Sequence, residues 1–350
     1  MDTDLQPDYY RDKSPEQALK DTNETIDFIK GLDPEYDIVS PIITPRFAPS
    51  CSPKLLSLLG QLAQEHNLPI QTHISENRNE IALVQKLFPD HSSYAVVYDA
   101  HKLLTQRTVL AHGVHLTAAE RALIRERGSS VSHCPVSNSS LSSGICWVRR
   151  LLDEGVTVGL GTDVSGGFSP SVLTAAREAA VVSRILAGQV GWSQYAEEEE
   201  RADKMVDSSR VVATQHEQRN EIEKGREESM AEEKRERIKL SPEEVVYLAT
   251  LGGAKCIGLE SRIGTFEVGK QFDAQLIEVE EVNLEDDDAV EGGAGVTTAD
   301  DGSSTRDDLG TVRFWGKESW EDRVAKWIFC GDDRNTRRVY VKGRLVHERR

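Results

Sequence analysis

His73 and Glu76 stand three residues apart in Gln71-Thr72-His73-Ile74-Ser75-Glu76, directly after the apolar run Leu68-Pro69-Ile70. At that spacing an imidazole can hold a metal ion while the carboxylate moves a proton. Alone, the pair reads better as a hydrogen-bonded histidine and a glutamate that opens the next helix. The pattern recurs along the chain, however. Arg46 follows the run Ile38-Val39-Ser40-Pro41-Ile42-Ile43, His112 follows Thr108-Val109-Leu110-Ala111, and His133 follows Ser129-Ser130-Val131-Ser132. Asp163 follows Val156-Thr157-Val158-Gly159-Leu160-Gly161. Each run reads as a buried strand, and each ends at a side chain able to do chemistry. Three imidazoles and an aspartate on strand tips suit a metal site, because a strand tip delivers its side chain to a defined place.

The elements that must position these residues alternate. Ser14-Pro15-Glu16-Gln17 and Ser52-Pro53 carry helix-start signals, and Thr117-Ala118-Ala119-Glu120 is a capping box. Helices are expected through Ile81, Val84, Leu87 and Phe88, over 148–154, and from about residue 170 to Leu186. Strand and helix thus alternate in about five βα units, the signature of a parallel sheet. The expected class is α/β: an incomplete (β/α)8 TIM-like barrel, whose site lies at the C-terminal ends of its strands. A doubly wound sheet also collects polar residues there, but no Gly-rich phosphate loop opens any of these helices. The barrel is expected to span 1–258, with a charged, exposed insertion at 195–240. A small β subdomain is expected at 259–350, with strands at 263–270 and 274–277 and a C-terminal hairpin at 338–346. Residues 284–311 read as an acidic, disordered loop.

Composition narrows the classes. The net charge of −17 and pI near 5.1 argue against a nucleic-acid binder, which needs a basic face. No apolar run approaches membrane-spanning length, and the acidic start Met1-Asp2-Thr3-Asp4 has no targeting character. Five scattered cysteines without a CxxC spacing argue against a disulfide framework, so a reducing cytoplasm is the simplest compartment.

Several stretches together resemble the amidohydrolase superfamily, and within it the guanine-deaminating branch. They are Ile43-Thr44-Pro45-Arg46-Phe47, Thr72-His73-Ile74-Ser75-Glu76-Asn77, Ala111-His112-Gly113, Ser132-His133-Cys134-Pro135, residues 137–144, and Gly159-Leu160-Gly161-Thr162-Asp163-Val164-Ser165-Gly166-Gly167. Residues 248–254, 269–274 and 331–335 match as well. The resemblance implies hydrolytic deamination of guanine to xanthine and ammonia by a zinc-activated water, with one Zn2+ per subunit and a homodimeric assembly. It implies that His73 and Asp163 are zinc ligands. Asp163 would also relay a proton, and Glu76 would shuttle one to the purine ring. His112 would orient the water or stabilise charge. Arg46 would bond the purine carbonyl oxygen, with Phe47 lining the pocket. The chemistry agrees: attack at C2 puts electron density on the neighbouring ring nitrogen, which an acid must meet. Arg46 would read an oxo group that guanine has and adenine lacks.

The sequence departs from that family at one place. The family's His-x-His, which supplies two further ligands, does not occur in these 350 residues. An N-terminally truncated deaminase is therefore expected. The competing readings are a non-catalytic or weakly purine-binding chain and a deaminase of another amino-heterocycle. His133 is either a packing or supporting residue or a substrate contact. Cys134 is expected to be buried, His66 to sit at a helix end, and His91, His101 and His115 to lie on the surface.

Overall fold

The computed structural model describes residues 1–206, 232–233, 235–281 and 312–349. The acidic loop expected at 284–311 lies outside the described residues, as do 207–231 and 234 of the charged insertion. Among the described residues, no helix is long and apolar enough to cross a membrane.

A parallel four-stranded sheet carries the first part of the chain, in the sequential order β1 (Ile70–Ile74), β2 (Thr108–His112), β3 (Ser130–His133) and β4 (Thr157–Leu160). The register aligns Thr72 with Leu110, Leu110 with Val131, and Val131 with Val158. This row is buried, with Leu110, Val131 and Val158 at 0% exposure. Each such apolar side chain stabilises the fold by about 1.5–3 kcal/mol relative to its exposed state. Helices α1 (Pro15–Leu32), α2 (Pro53–Glu65), α3 (Arg78–Leu87), α4 (Tyr94–Ala100), α5 (Ala118–Glu126), α6 (Pro135–Ser140), α7 (Val148–Asp153) and α8 (Val172–Val206) connect and flank the strands. The caps are those the sequence suggests. Ser14 and Ser52 accept from the backbones of Gln17 and Leu55, and Thr117 with Glu120 closes a reciprocal box. A helix Pro242–Tyr247 continues through a π turn, Leu248–Gly252, into Gly253–Cys256 against β4. A Cβ on Gly159 would stand 2.9 Å from the Gly253 Cα, so this close approach needs glycine.

Two expected strands are absent. Residues 38–43 make only a single parallel bridge, Ile43 to Ile70. The amides of Ile38 and Val39 donate instead to the Asp33 carboxylate, at 2.6 and 2.9 Å, and both side chains are exposed. Pro41 and Pro45 bring no N–H to a ladder, so the run cannot pair along its length. The parallel sheet therefore has four strands and one bridge where five strands are expected. Residues 263–270 form turns: Gly264 and Gly269 hold φ of +94° and +96°, and the Gln271 amide folds back to Arg262 O at 2.8 Å.

The C-terminal part forms a separate three-stranded antiparallel sheet of β5 (Ala274–Ile277), β8 (Thr336–Val341) and β9 (Arg344–Glu348), in the order β5-β8-β9. Lys342 and Gly343, both at positive φ, make the two-residue hairpin turn expected there. Two short strands, β6 (Glu280–Glu281) and β7 (Arg313–Phe314), pair in parallel, and a helix Trp320–Cys330 follows. The last residues of the stretch expected to be an exposed insertion are packed. Ile238 and Leu240 are buried, and the Leu240 amide donates to Ser183 Oγ at 2.9 Å.

Candidate active site

Backbone conformation at the strand ends decides where the chemistry points. Ser75 just after β1, His112 closing β2, and Asp163 just after β4 all take left-handed φ values, +51°, +75° and +46°. L residues hold that conformation at a cost of about 1–3 kcal/mol, and such outliers cluster at functional sites. By strict alternation His112 belongs with buried Thr108 and Leu110. It is buried in phase with them while holding positive φ, and its Nε2 comes to 3.8 Å from Glu76 Oε2 and 3.9 Å from Asp163 Oδ2. The His73 and His112 rings stack with centroids 5.2 Å apart.

His73, His112 and Asp163 thereby form a group whose candidate ligand atoms all lie within 4.8 Å of one another, the one such group among the described residues. Both imidazoles are held through Nδ1. His73 Nδ1–H donates to Arg46 O at 2.5 Å, and His112 Nδ1–H donates to Asn138 Oδ1 at 2.9 Å. Each ring then presents the Nε2 lone pair, and Asp163 adds a carboxylate oxygen. Two oriented imidazoles with one carboxylate are a donor set that fits zinc. A Cβ on Gly166 would stand 2.7 Å from Asp163 Oδ2, so the following turn closes on the carboxylate as only glycine permits.

Glu76 sits where β1 runs into α3, and its backbone amide donates to the Glu80 carboxylate at 2.9 Å. Ser143 Oγ donates to Glu76 Oε1 at 2.8 Å, which leaves Oε2 on the side of His112. The sequence-expected site residues Glu76, His73, His112 and Asp163 are thus brought together. Arg46 and Phe47 lie beside the group rather than in it. The exposed Arg46 guanidinium sits 5.6 Å from the Phe47 ring centroid, and that ring meets His73 edge-on at 6.5 Å.

Three supporting residues carry no assignment from sequence. Tyr98 is fully buried on α4, and its OH donates to His73 O at 2.7 Å while accepting from Ala48 N and Thr72 Oγ1. Burial pushes the Tyr98 phenol well above its ordinary value, so it stays a donor. Asn138 and Ser143 lie in a Ser/Asn-rich stretch that reads as a loop but begins as helix α6; Pro135 at its first position is the signal that could have found it.

His133 is not part of that group. It is 1% exposed, lies against Cys146, Val148, Ser183 and Leu240, and neither ring nitrogen has a partner among the described residues. Burial, with a smaller effect of His112, lowers it to about 3. Cys134 is buried as expected, and burial together with Asp163 pushes its thiol up to about 12. His66 caps α2 as expected. His91, His101 and His115 are not surface residues: all three are partly buried, His101 bonds Ser57 at 2.8 Å, and His115 donates to Ser143 O at 2.8 Å.

The sequence profile of the amidohydrolase family matches residues 3–209 and 217–346. A probable guanine deaminase of Schizosaccharomyces pombe is 41% identical over 98% of this chain and 52% of its own length. The guanine deaminase of Homo sapiens is 38% identical over 98% of this chain and 60% of its own length. The chain therefore spans little more than half the length of these curated relatives. Among solved structures, the guanine deaminase of C. acetobutylicum with guanine bound in its active site aligns with a TM-score of 0.70 at 30% identity, covering 99% of this chain and 64% of that one.

Proposed function

The chain belongs to the amidohydrolase family, with its TIM-barrel-like α/β fold, and on that premise we propose that its site deaminates guanine hydrolytically, giving xanthine and ammonia. The observation that carries this reading is the group of His73, His112 and Asp163, with Glu76 3.8 Å from His112. His73 and Asp163 would hold a single zinc ion, and His112 faces the same point. Bound there, zinc would supply a water that ionises near neutral pH, at a pKa of about 7.

The chain's own residues do the rest. Glu76, held through Oε1 by Ser143, takes a proton on Oε2 and delivers it to the ring nitrogen beside C2. Asp163 relays a proton to the departing amine. Arg46 donates to the purine oxo group, and Phe47 lines the pocket. An adenine would leave that guanidinium without its acceptor, so discrimination should be strong. Guanine and water are thus the expected ligands. The parallel sheet is read as part of an incomplete (β/α)8 barrel over 1–258, with 259–350 as a small β subdomain. A homodimer working in the cytoplasm completes the reading, and light scattering on the purified chain tests the dimer.

The deciding experiment loads the purified 350-residue chain with zinc and measures ammonia release from guanine, adenine and an aminotriazine. Release from guanine alone, with zinc retained at one equivalent, is expected. Equal release from the three would point to a broader amino-heterocycle deaminase. The second reading is a weakly purine-binding, non-catalytic chain; it is raised because the chain covers 52% of one curated relative and 60% of another. Guanine binding without any ammonia would favour it, and a chain that retains no zinc would sink the deaminase reading.

A further inference from the structure

Glu80 stands on the first turn of α3 and is buried at 8% exposure. With Asn77 it closes a reciprocal capping box: its amide donates to Asn77 Oδ1 at 2.9 Å, and its Oε2 accepts from Asn77 N at 3.3 Å. Two further bonds exceed what a cap needs. The same Oε2 accepts from Glu76 N at 2.9 Å, the shorter of its amide bonds, and Oε1 accepts from the Tyr94 hydroxyl at 2.8 Å. Tyr94 is 2% exposed, and burial, with Tyr98 and Glu80 alongside, pushes its phenol well above its ordinary value, so it stays a donor. The start of α4 that carries Tyr94 is held in turn, since Ala95 N donates to Glu120 Oε1 at 3.2 Å.

The amides of Glu76 and Asn77 are the two that flank the Glu76 Cα. Pinning both to one oxygen fixes the peptide planes on either side of that Cα, and so fixes where its side chain begins. Ser143 Oγ holds the far end of the same side chain at 2.8 Å. The turn needs an anchor, because Ser75 just before it takes a left-handed φ of +51°, which an L residue holds at a cost. Glu120 supplies the contrast. It is also a buried capping-box glutamate, at 4% exposure, but its carboxylate serves Thr117 and Ala95 and bonds none of the proposed site residues.

We propose that Glu80 is a positioning residue, whose carboxylate, seated on Tyr94, fixes the Glu76 backbone so that the Glu76 carboxyl reaches the substrate ring. The proposal rests on the reading of Glu76 as the proton carrier. It deepens that reading by dividing the placement of one side chain between two holds, Glu80 at its backbone and Ser143 at its tip. A group that transfers a proton must stand within hydrogen-bond reach of its target, and a misplacement of about 1 Å can cost about 10²-fold in rate.

Kinetics and hydrogen exchange on the full 350-residue chain test it. Glu80→Leu should lower kcat for guanine about 10²-fold with KM held, because Arg46 and Phe47 still bind the purine. Glu80→Gln keeps an oxygen for the two amides and can donate to the Tyr94 oxygen, so it should retain most of kcat. Asn77→Ala weakens the same helix cap yet leaves Glu80 on Glu76 N, so its kcat should stay at the wild-type level. Wild-type kcat in Glu80→Leu, or a loss in either control equal to that in Glu80→Leu, overturns the proposal. The second readout needs neither turnover nor metal. The Glu76 amide should be protected from hydrogen exchange in the wild-type chain, and in Glu80→Leu that protection should vanish while protection in β1 persists. An unprotected Glu76 amide in the wild type, or protection that survives Glu80→Leu, overturns the proposal. A wild-type chain that releases no ammonia would defeat the deamination reading itself, and amide exchange would still decide whether Glu80 fixes that turn.

Discussion

The two sheets of this chain are built on opposite terms. The tips of β1–β4 are packed from behind, and their functional side chains are held by specific bonds: His73 to Arg46 O, His112 to Asn138, and Glu76 to Ser143. The β5-β8-β9 sheet has little behind it. Residues of β9 are exposed throughout, and ion pairs such as Arg338–Glu348 at 2.7 Å, and Lys342 of the hairpin turn with Asp37, lie at its surface. A buried sheet can hold a side chain in one place because neighbouring atoms exclude its other rotamers. An exposed sheet keeps its backbone register but leaves its side chains to solvent. Among the described residues, the group of candidate metal donors sits at the tips of the first.

That contrast can be broken or sharpened in order of effect. If Glu76 moves the proton as proposed and holds no metal, Glu76→Gln should lower guanine turnover about 10²–10⁴-fold while zinc affinity stays at the wild-type level. Steady-state rates with a zinc assay check this, and unchanged turnover would remove Glu76 from the mechanism. In the core of the parallel sheet, Leu110→Ala should cost about 2–5 kcal/mol by urea denaturation. Leu345→Ala in exposed β9 should stay within about 0.5 kcal/mol. Similar losses at both positions would erase the distinction between the sheets.

Tyr98→Phe removes the phenol oxygen that bridges His73 O, Ala48 N and Thr72 Oγ1. It should destabilise by about 1–3 kcal/mol, because buried polar groups lose their partner. His133 gives a pH dependence. Its folded value of about 3 lies below its ordinary 6.5, so between these the unfolded chain binds a proton that the folded chain does not. Stability is therefore lost as pH falls from 6.5 toward 3, by about 1.4 kcal/mol for each pH unit. Denaturation curves at pH 7 and 5 should show a smaller loss for His133→Leu than for wild type; equal losses would contradict the burial argument. The smallest effect belongs to the surface of the C-terminal sheet. Arg338→Ala should change stability by about 0–1 kcal/mol, because its partner Glu348 is well solvated.

Much of the architecture is legible along the chain because its signals are local. β2, β3 and β4 fall on apolar runs closed by His112, His133 and Asp163, and the caps at Ser14, Ser52 and Thr117 start helices where their residues predict. The failures have non-local causes. Residues 38–43 have strand composition, but Asp33 takes two of their amides and the prolines supply none. Tyr98 gives no warning in sequence, since its value depends on His73, Ala48 and Thr72 arriving around one oxygen.

What the sequence alone determined is which residue types stand at which strand ends, and hence the expectation of His73, Glu76, His112 and Asp163 as one site. Residue order along a strand sets alternation and length, so this much follows from local rules. Only the tertiary structure decided which way those residues face. Left-handed backbone at His112 and Asp163, and the hydrogen bonds from Arg46 O, Asn138 and Ser143, aim the ring nitrogens and carboxylates at a common point. Those contacts join positions 26 to 67 residues apart, and no pattern within one strand or helix encodes them. The same physics separates His112 from His133: both close a buried strand, but the ring of one bonds Asn138 and faces Glu76 and Asp163, while the buried ring nitrogens of the other have no hydrogen-bond partner among the described residues.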